Sequence, residues 1–199
     1  MKTRFFYTII FILNVQFCCL YAQQKDLLAG QDNFLKGNFE EAIKVLKPVS
    51  GKSADADYLI AMSYFNLKNY QEAVHYFSIG IKSDPQNANA YLQKAEAEKK
   101  LNDNKQALID LGKLIKIKED YYPAYLSIGD IYYSEKNYEE AISSFKKVIE
   151  LKPGLERAYY KLGFCYLELK DTEKACAAWK HIEDPDDFEN YKIIESTCK

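Results

Sequence analysis

Cysteines, histidines and paired acids are the residues of this sequence best suited to chemistry. There are five cysteines: Cys18 and Cys19 near the start, and Cys165, Cys176 and Cys198 near the end. A thiol can act as a nucleophile, ligate a metal or close a disulfide, and a low pKa selects the first of these roles. No CxxC spacing or flanking lysine-rich pocket marks a reactive thiol. The two histidines, His75 and His181, fall in different parts of the chain and leave little material for a His-built metal site or triad. Glu40-Glu41 and Glu139-Glu140 read as acids at helix starts, where the helix dipole favours them. There is no Gly-rich phosphate loop, HExxH or GxSxG. These observations predict a protein that is not an enzyme, with no cofactor, no metal and no small-molecule substrate.

The elements that carry these residues are set by a chain of 199 residues, 48% hydrophobic and 28% charged, which suits a single globular domain. A net charge of −2 supplies no basic excess for tracking phosphates, so nucleic acid is not expected as a partner. Tyrosine is over-used, with 17 against one tryptophan; repetition accounts for most of that excess.

Residues 1–22 have the layout of a secretory signal. Lys2 and Arg4 precede an apolar run from Phe5 to Leu20, and Ala22 offers a small residue at the cut. The run is shorter than the roughly 20 apolar residues of a membrane span. Lipidation at Cys18 or Cys19 is an alternative, although Gln16 and Phe17 before them are not small. A membrane association is expected only if this segment is retained or lipidated. Loss of Lys2 and Arg4 takes the charge from −2 to −4. The expected location is outside the cytoplasm, in the periplasm or cell envelope, where disulfides persist.

A repeat organises the rest. Ala42, Ala73, Ala107, Ala141 and Ala175 are spaced 31, 34, 34 and 34 residues apart, each after a short polar turn such as LKNYQEA or EKNYEEA. Twelve residues before each alanine stands a small residue: Gly30, Ala61, Ala95, Gly129 and Gly163. Four residues after each comes a large apolar one: Leu46, Phe77, Leu111, Phe145 and Trp179. Tyr64, Tyr132 and Tyr166 fill a third row, with Asn33 and Glu98 as exceptions. Tyr91, Tyr125 and Tyr159 fill a fourth, broken by Asp26 and Asp57. Apolar residues three and four apart, a polar turn, and a second helix of the same period describe an αα-hairpin.

In five in-register copies this pattern resembles the tetratricopeptide repeat (TPR), over residues 23–189. The resemblance implies an all-α fold, an α-solenoid of about five TPR-like αα-hairpins over 23–53, 54–87, 88–121, 122–155 and 156–189. A C-terminal capping helix over 186–199 covers the last of them, with Asp186 and Glu189 at its start and Phe188, Tyr191, Ile194 and Cys198 on one face. The third copy departs from the family pattern, with Lys94 and Glu98 where Leu and Tyr are usual. TPR arrays usually hold peptides on the surface lined by first helices. The residues expected there are Tyr58, Met62, Phe65, Leu92, Leu126, Asp130, Tyr133, Tyr160 and Phe164. Chaperone-binding members clamp a carboxylate with Lys, Asn and Arg; the matching places hold Leu27, Gln31, Leu59, Asn89 and Gln93, so that clamp is not present.

Cys176 directly follows Ala175, in a row otherwise filled by Ile43, Val74, Leu108 and Ile142 that packs toward the next element. For the last repeat that element is the capping helix with Cys198. A Cys176–Cys198 disulfide is therefore expected, worth about 3 kcal/mol in the chain-entropy view, and Cys165 is read as a small buried thiol. The functional expectation is a protein-binding adaptor whose partner is a protein or peptide. The alternatives are a self-associating structural subunit and, less favoured, a thiol-redox protein acting through Cys165 or Cys198.

Overall fold

Five short turns set the architecture. Each passes through a residue in the left-handed region, five positions before the repeat alanine: Gly37 (φ 79°), Lys68 (62°), Asn102 (61°), Lys136 (64°) and Lys170 (62°). At Lys136 the turn closes a Schellman motif: the amide of Lys136 donates to the carbonyl of Tyr133 (3.0 Å) and that of Asn137 to the carbonyl of Tyr132 (2.9 Å). The same two bonds recur after Phe34, Phe65 and Leu167. A polar turn visible in the sequence is thus a helix-terminating device that satisfies orphan carbonyls.

The structure, a computed structural model, describes residues 20–183 and 191–198. Residues 1–19, Asp186, Phe188 and Glu189 lie outside the described residues, and with them most of the expected signal and the start of the expected cap. The chain divides into two compact units, one ending at Leu101 and one beginning at Asn102. The first holds α1 (residues 20–35), α2 (Phe39–Leu46), a 3-10 turn (Lys47–Val49), α3 (Ala54–Asn66), α4 (Tyr70–Ser83) and α5 (Ala88–Lys100). The second holds α6 (Asn104–Ile117), α7 (Tyr122–Ser134), α8 (Tyr138–Leu151), α9 (Glu156–Glu168), α10 (Thr172–Trp179) and α11 (Tyr191–Thr197). Among the described residues there is no strand. Within each unit successive helices pack on one another, which makes the fold all-α and TPR-like, of the α-solenoid class. The expected cut after Ala22 falls inside α1. The division at Leu101 falls in the turn of the third expected hairpin.

The small and large rows are partners. A Cβ placed on Gly129 would stand 2.5 Å from the Phe145 ring, on Gly163 it would overlap the Trp179 indole, and on Gly30 it would overlap Leu46. Each glycine is a socket for the knob of the second helix in its own hairpin. Ala61 and Phe77 serve the same purpose in α3 and α4, both fully buried in one cluster with Ala73. Close packing of this kind tolerates no added methyl without movement.

The single 31-residue spacing has a local cause. Helix α2 stops after eight residues, and Pro48 opens a 3-10 turn where α4, α6 and α8 run on to fourteen. The loop that follows is tied down by Asp57, fully buried, whose carboxylate accepts from Ser50 Oγ (2.5 Å) and the Gly51 amide (3.0 Å). Asp57 breaks the tyrosine row because the shortened helix leaves backbone donors there in need of an acceptor.

At the C-terminus, Ile194 of α11 packs with Ala175, Trp179 and Ile182, and Cys198 is disulfide-bonded to Cys176 with a Cα–Cα distance of 5.5 Å. Seven residues are too few for an isolated helix to persist in water, so apolar cover and crosslink hold α11 in place together. Among the described residues, no helix is long and apolar enough to cross a membrane.

Candidate binding surface

Spacing along the first helices places the expected contact residues on shared faces. Tyr58, Met62 and Phe65 lie four and three apart on α3, and Leu126, Asp130 and Tyr133 repeat that spacing on α7. Tyr160 and Phe164 follow on α9, and Leu92 lies on α5. All nine are half-buried.

In the second unit the structure brings four of them together. Tyr133, Tyr160 and Phe164 line a pocket of about 280 Å³ with Lys161 and Glu168. Tyr160 and Phe164 rings meet at 4.9 Å, and Phe164 stands edge-on to Trp179 at 5.1 Å. Trp179 Nε1 donates to the Tyr160 carbonyl (3.1 Å), so the knob of α10 also fixes the wall of the pocket. Asp130 reaches from α7 to α9, its Oδ1 2.7 Å from Lys161 Nζ. Tyr138 stacks edge-on against Tyr133 at 5.6 Å and donates its hydroxyl to Glu168 Oε2 at 3.2 Å. Burial, and then the Glu168 charge, push the Tyr133 hydroxyl above the ordinary tyrosine range. Leu126 packs against the cluster of Ala141, Phe145 and Leu162.

In the first unit Tyr58 lines a pocket of about 330 Å³ with Leu27, Gln31, Asp55 and Leu59. Three of those five, Leu27, Gln31 and Leu59, occupy the places of the missing carboxylate clamp, so the same surface is present with different chemistry. Met62 and Phe65 pack on Ala61, Ala73 and Phe77, and Phe65 meets Tyr70 edge-on at 5.3 Å. Leu92 lines neither pocket.

Sequence reasoning missed Lys161, Glu168 and Tyr138. Lys161 and Glu168 fall in rows of mixed polarity, and Tyr138, which reads as a turn residue in the sequence, is the first residue of α8, so the core periodicity singles none of them out. Only the approach of α7 to α9 makes them neighbours. The other chemistry-bearing residues are displaced from function. Cys165 is fully buried and its thiol is pushed up to about 12 by burial. Cys198 is in the disulfide, so neither thiol considered for redox chemistry has the exposed, low-pKa character it needs. His75 is exposed on α4, whereas His181 lies just past the end of α10 rather than on it, stacked on Tyr159 at 4.4 Å. Among the described residues, no three of His, Cys, Asp and Glu are placed to hold a metal ion.

A family model described as tetratricopeptide repeat matches residues 58–123, and one described as TPR repeat matches 129–170. A third, described as anaphase-promoting complex, cyclosome, subunit 3, matches 19–78. A crystal structure of MamA protein is 25% identical and superposes with a TM-score of 0.73 over 80% of this chain and 89% of that one. MamA from Desulfovibrio magneticus is 22% identical, with a TM-score of 0.73 over 88% and 96%. A thermophilic TPR protein of Thermus thermophilus is 20% identical, with a TM-score of 0.61 over 88% and 98%. A curated relative, an NADPH oxidase activator of Dictyostelium discoideum, is 24% identical over 99 residues. That match covers 49% of this chain and 16% of the relative.

Proposed function

The chain is a tetratricopeptide repeat protein, and from that premise we propose that it is a non-catalytic adaptor of the cell envelope, binding a segment of a partner protein on the surface of its first helices. TPR proteins generally bind protein partners. The observation that carries the finer reading is the pocket of Tyr133, Tyr160 and Phe164, where three half-buried rings stand open to solvent between two first helices. Export is supported by the Cys176–Cys198 disulfide, since such bonds persist in oxidising compartments, and by the apolar N-terminal run.

The test is affinity capture from the native host with the wild-type chain and with the triple variant Tyr58→Ala, Phe65→Ala, Tyr133→Ala. A partner retained by the first and lost by the second is expected. Equal capture by both overturns the surface assignment. Concentration-dependent oligomers in light scattering, lost in the same variant, would assign the surface to self-association instead. Cell fractionation checks the compartment: recovery in the cytosol contradicts export.

A further inference from the structure

The α7–α9 pocket carries more information than its apolar rings. Three charged side chains are at hand. Lys161 is neutralised by Asp130 at 2.7 Å, across the two helices. Glu168 is left over: among the described residues its carboxylate takes the Tyr138 hydroxyl and no ion pair. The site therefore keeps a net charge of one negative. Glu168 is also the last residue of α9, where the exposed carbonyls form the negative end of the helix dipole.

Aromatic faces add to the same sign. Tyr133, Tyr160 and Phe164 present electron-rich π surfaces, which attract a cation within about 6 Å of a ring centroid. Trp179 holds Phe164 and the Tyr160 backbone in place, so this wall is formed before any ligand arrives. A ring wall, a carboxylate with no cation of its own, and an internal lysine already paired make up a receptor for positive charge. An anion would meet Glu168, and a purely apolar group would leave its carboxylate facing hydrocarbon.

We propose that the pocket lined by Tyr133, Tyr160, Phe164 and Glu168 receives the arginine or lysine side chain of a basic partner segment. The inference rests on the protein-binding reading above and specifies the chemistry of the partner. Charge complementarity chooses the occupant: the cation lies against the rings while its donors reach the Glu168 carboxylate.

The experiment is an NMR titration of the full chain with N-acetyl-arginine methylamide, and with the norleucine analogue as a neutral probe of similar length. The arginine probe is expected to shift the ring resonances of Tyr133, Tyr160 and Phe164 saturably, more weakly as salt rises. Glu168→Gln, at an exposed side chain that leaves the fold intact by circular dichroism, should weaken it by up to about fivefold. Glu168→Lys should abolish it. Norleucine binding as tightly as arginine, no binding by either probe, or an unchanged affinity in Glu168→Gln each overturns the proposal. Failure here is distinguishable from failure of the adaptor reading. A partner still lost in the aromatic triple variant but retained in Glu168→Gln would leave a binding surface that does not select cations.

Discussion

Where α9 carries Leu162 and Tyr166, α5 carries Lys94 and Glu98. Both helices open a repeat, and both bury the small residue of their row, Gly163 and Ala95. In α9, buried Leu162 joins a cluster with Ala141, Phe145 and Cys165, and half-buried Tyr166 packs against it. In α5, Lys94 Nζ pairs with Glu98 Oε1 at 2.8 Å, with side-chain exposures of only 11% and 3%. A buried pair recovers in mutual attraction about what it forfeits in desolvation, whereas an apolar contact stabilises outright. The repeat therefore specifies its geometry through the small row and leaves the neighbouring rows chemically open.

Breaking the α5 pair should have the largest effect. Glu98→Ala removes one partner of a buried ion pair and should cost about 3–5 kcal/mol by denaturant unfolding. The double variant Lys94→Leu, Glu98→Tyr, which gives α5 the pattern of α9, should recover all or most of that loss. If Glu98→Ala unfolds like the parent, the pair is not buried as described.

Next in size is the socket itself. Gly163→Ala should lower stability by about 1–3 kcal/mol, because the new methyl meets the Trp179 indole. Gly112→Ala in α6, where an added Cβ meets nothing within 4 Å, should instead stabilise by about 0.5–1 kcal/mol. Equal effects in the two thermal melts would mean that the small row does not set the contact.

A third effect, smaller than that of the filled socket, concerns the turns. Gly37 fits the left-handed region at no steric cost, while Lys136 occupies it with a side chain. Lys136→Gly should gain about 1 kcal/mol in chemical denaturation. A loss there would show that the lysine makes a compensating contact.

The alanine, small and large rows made the hairpins legible from spacing alone, because steric fit between helices repeats with the chain. The crosslinked end was legible too, since Cys176 sits where every other repeat has an aliphatic contact. The left-handed turns were legible only as polarity, because Lys68, Lys136 and Lys170 do not advertise a positive φ. The role of Asp57 was hidden as well: it depends on where α2 stops, and that follows from Pro48 and the loop beyond. The pocket was half visible. Its rings follow the period, but Lys161, Glu168 and Tyr138 become neighbours only through tertiary packing.

The pairing of glycine and knob has a consequence for how such chains can be rearranged. Gly30 with Leu46, Gly129 with Phe145 and Gly163 with Trp179 each fall within one hairpin. A crossover in the loop between hairpins transplants both halves of the joint and leaves each matched to its mate. A crossover at the inner turn, such as Lys136-Asn137, separates them and can set an indole against a socket shaped for a phenyl ring. Duplication and exchange of repeats should accordingly have inherited their seams from the outer loops, with the hairpin as the smallest heritable piece.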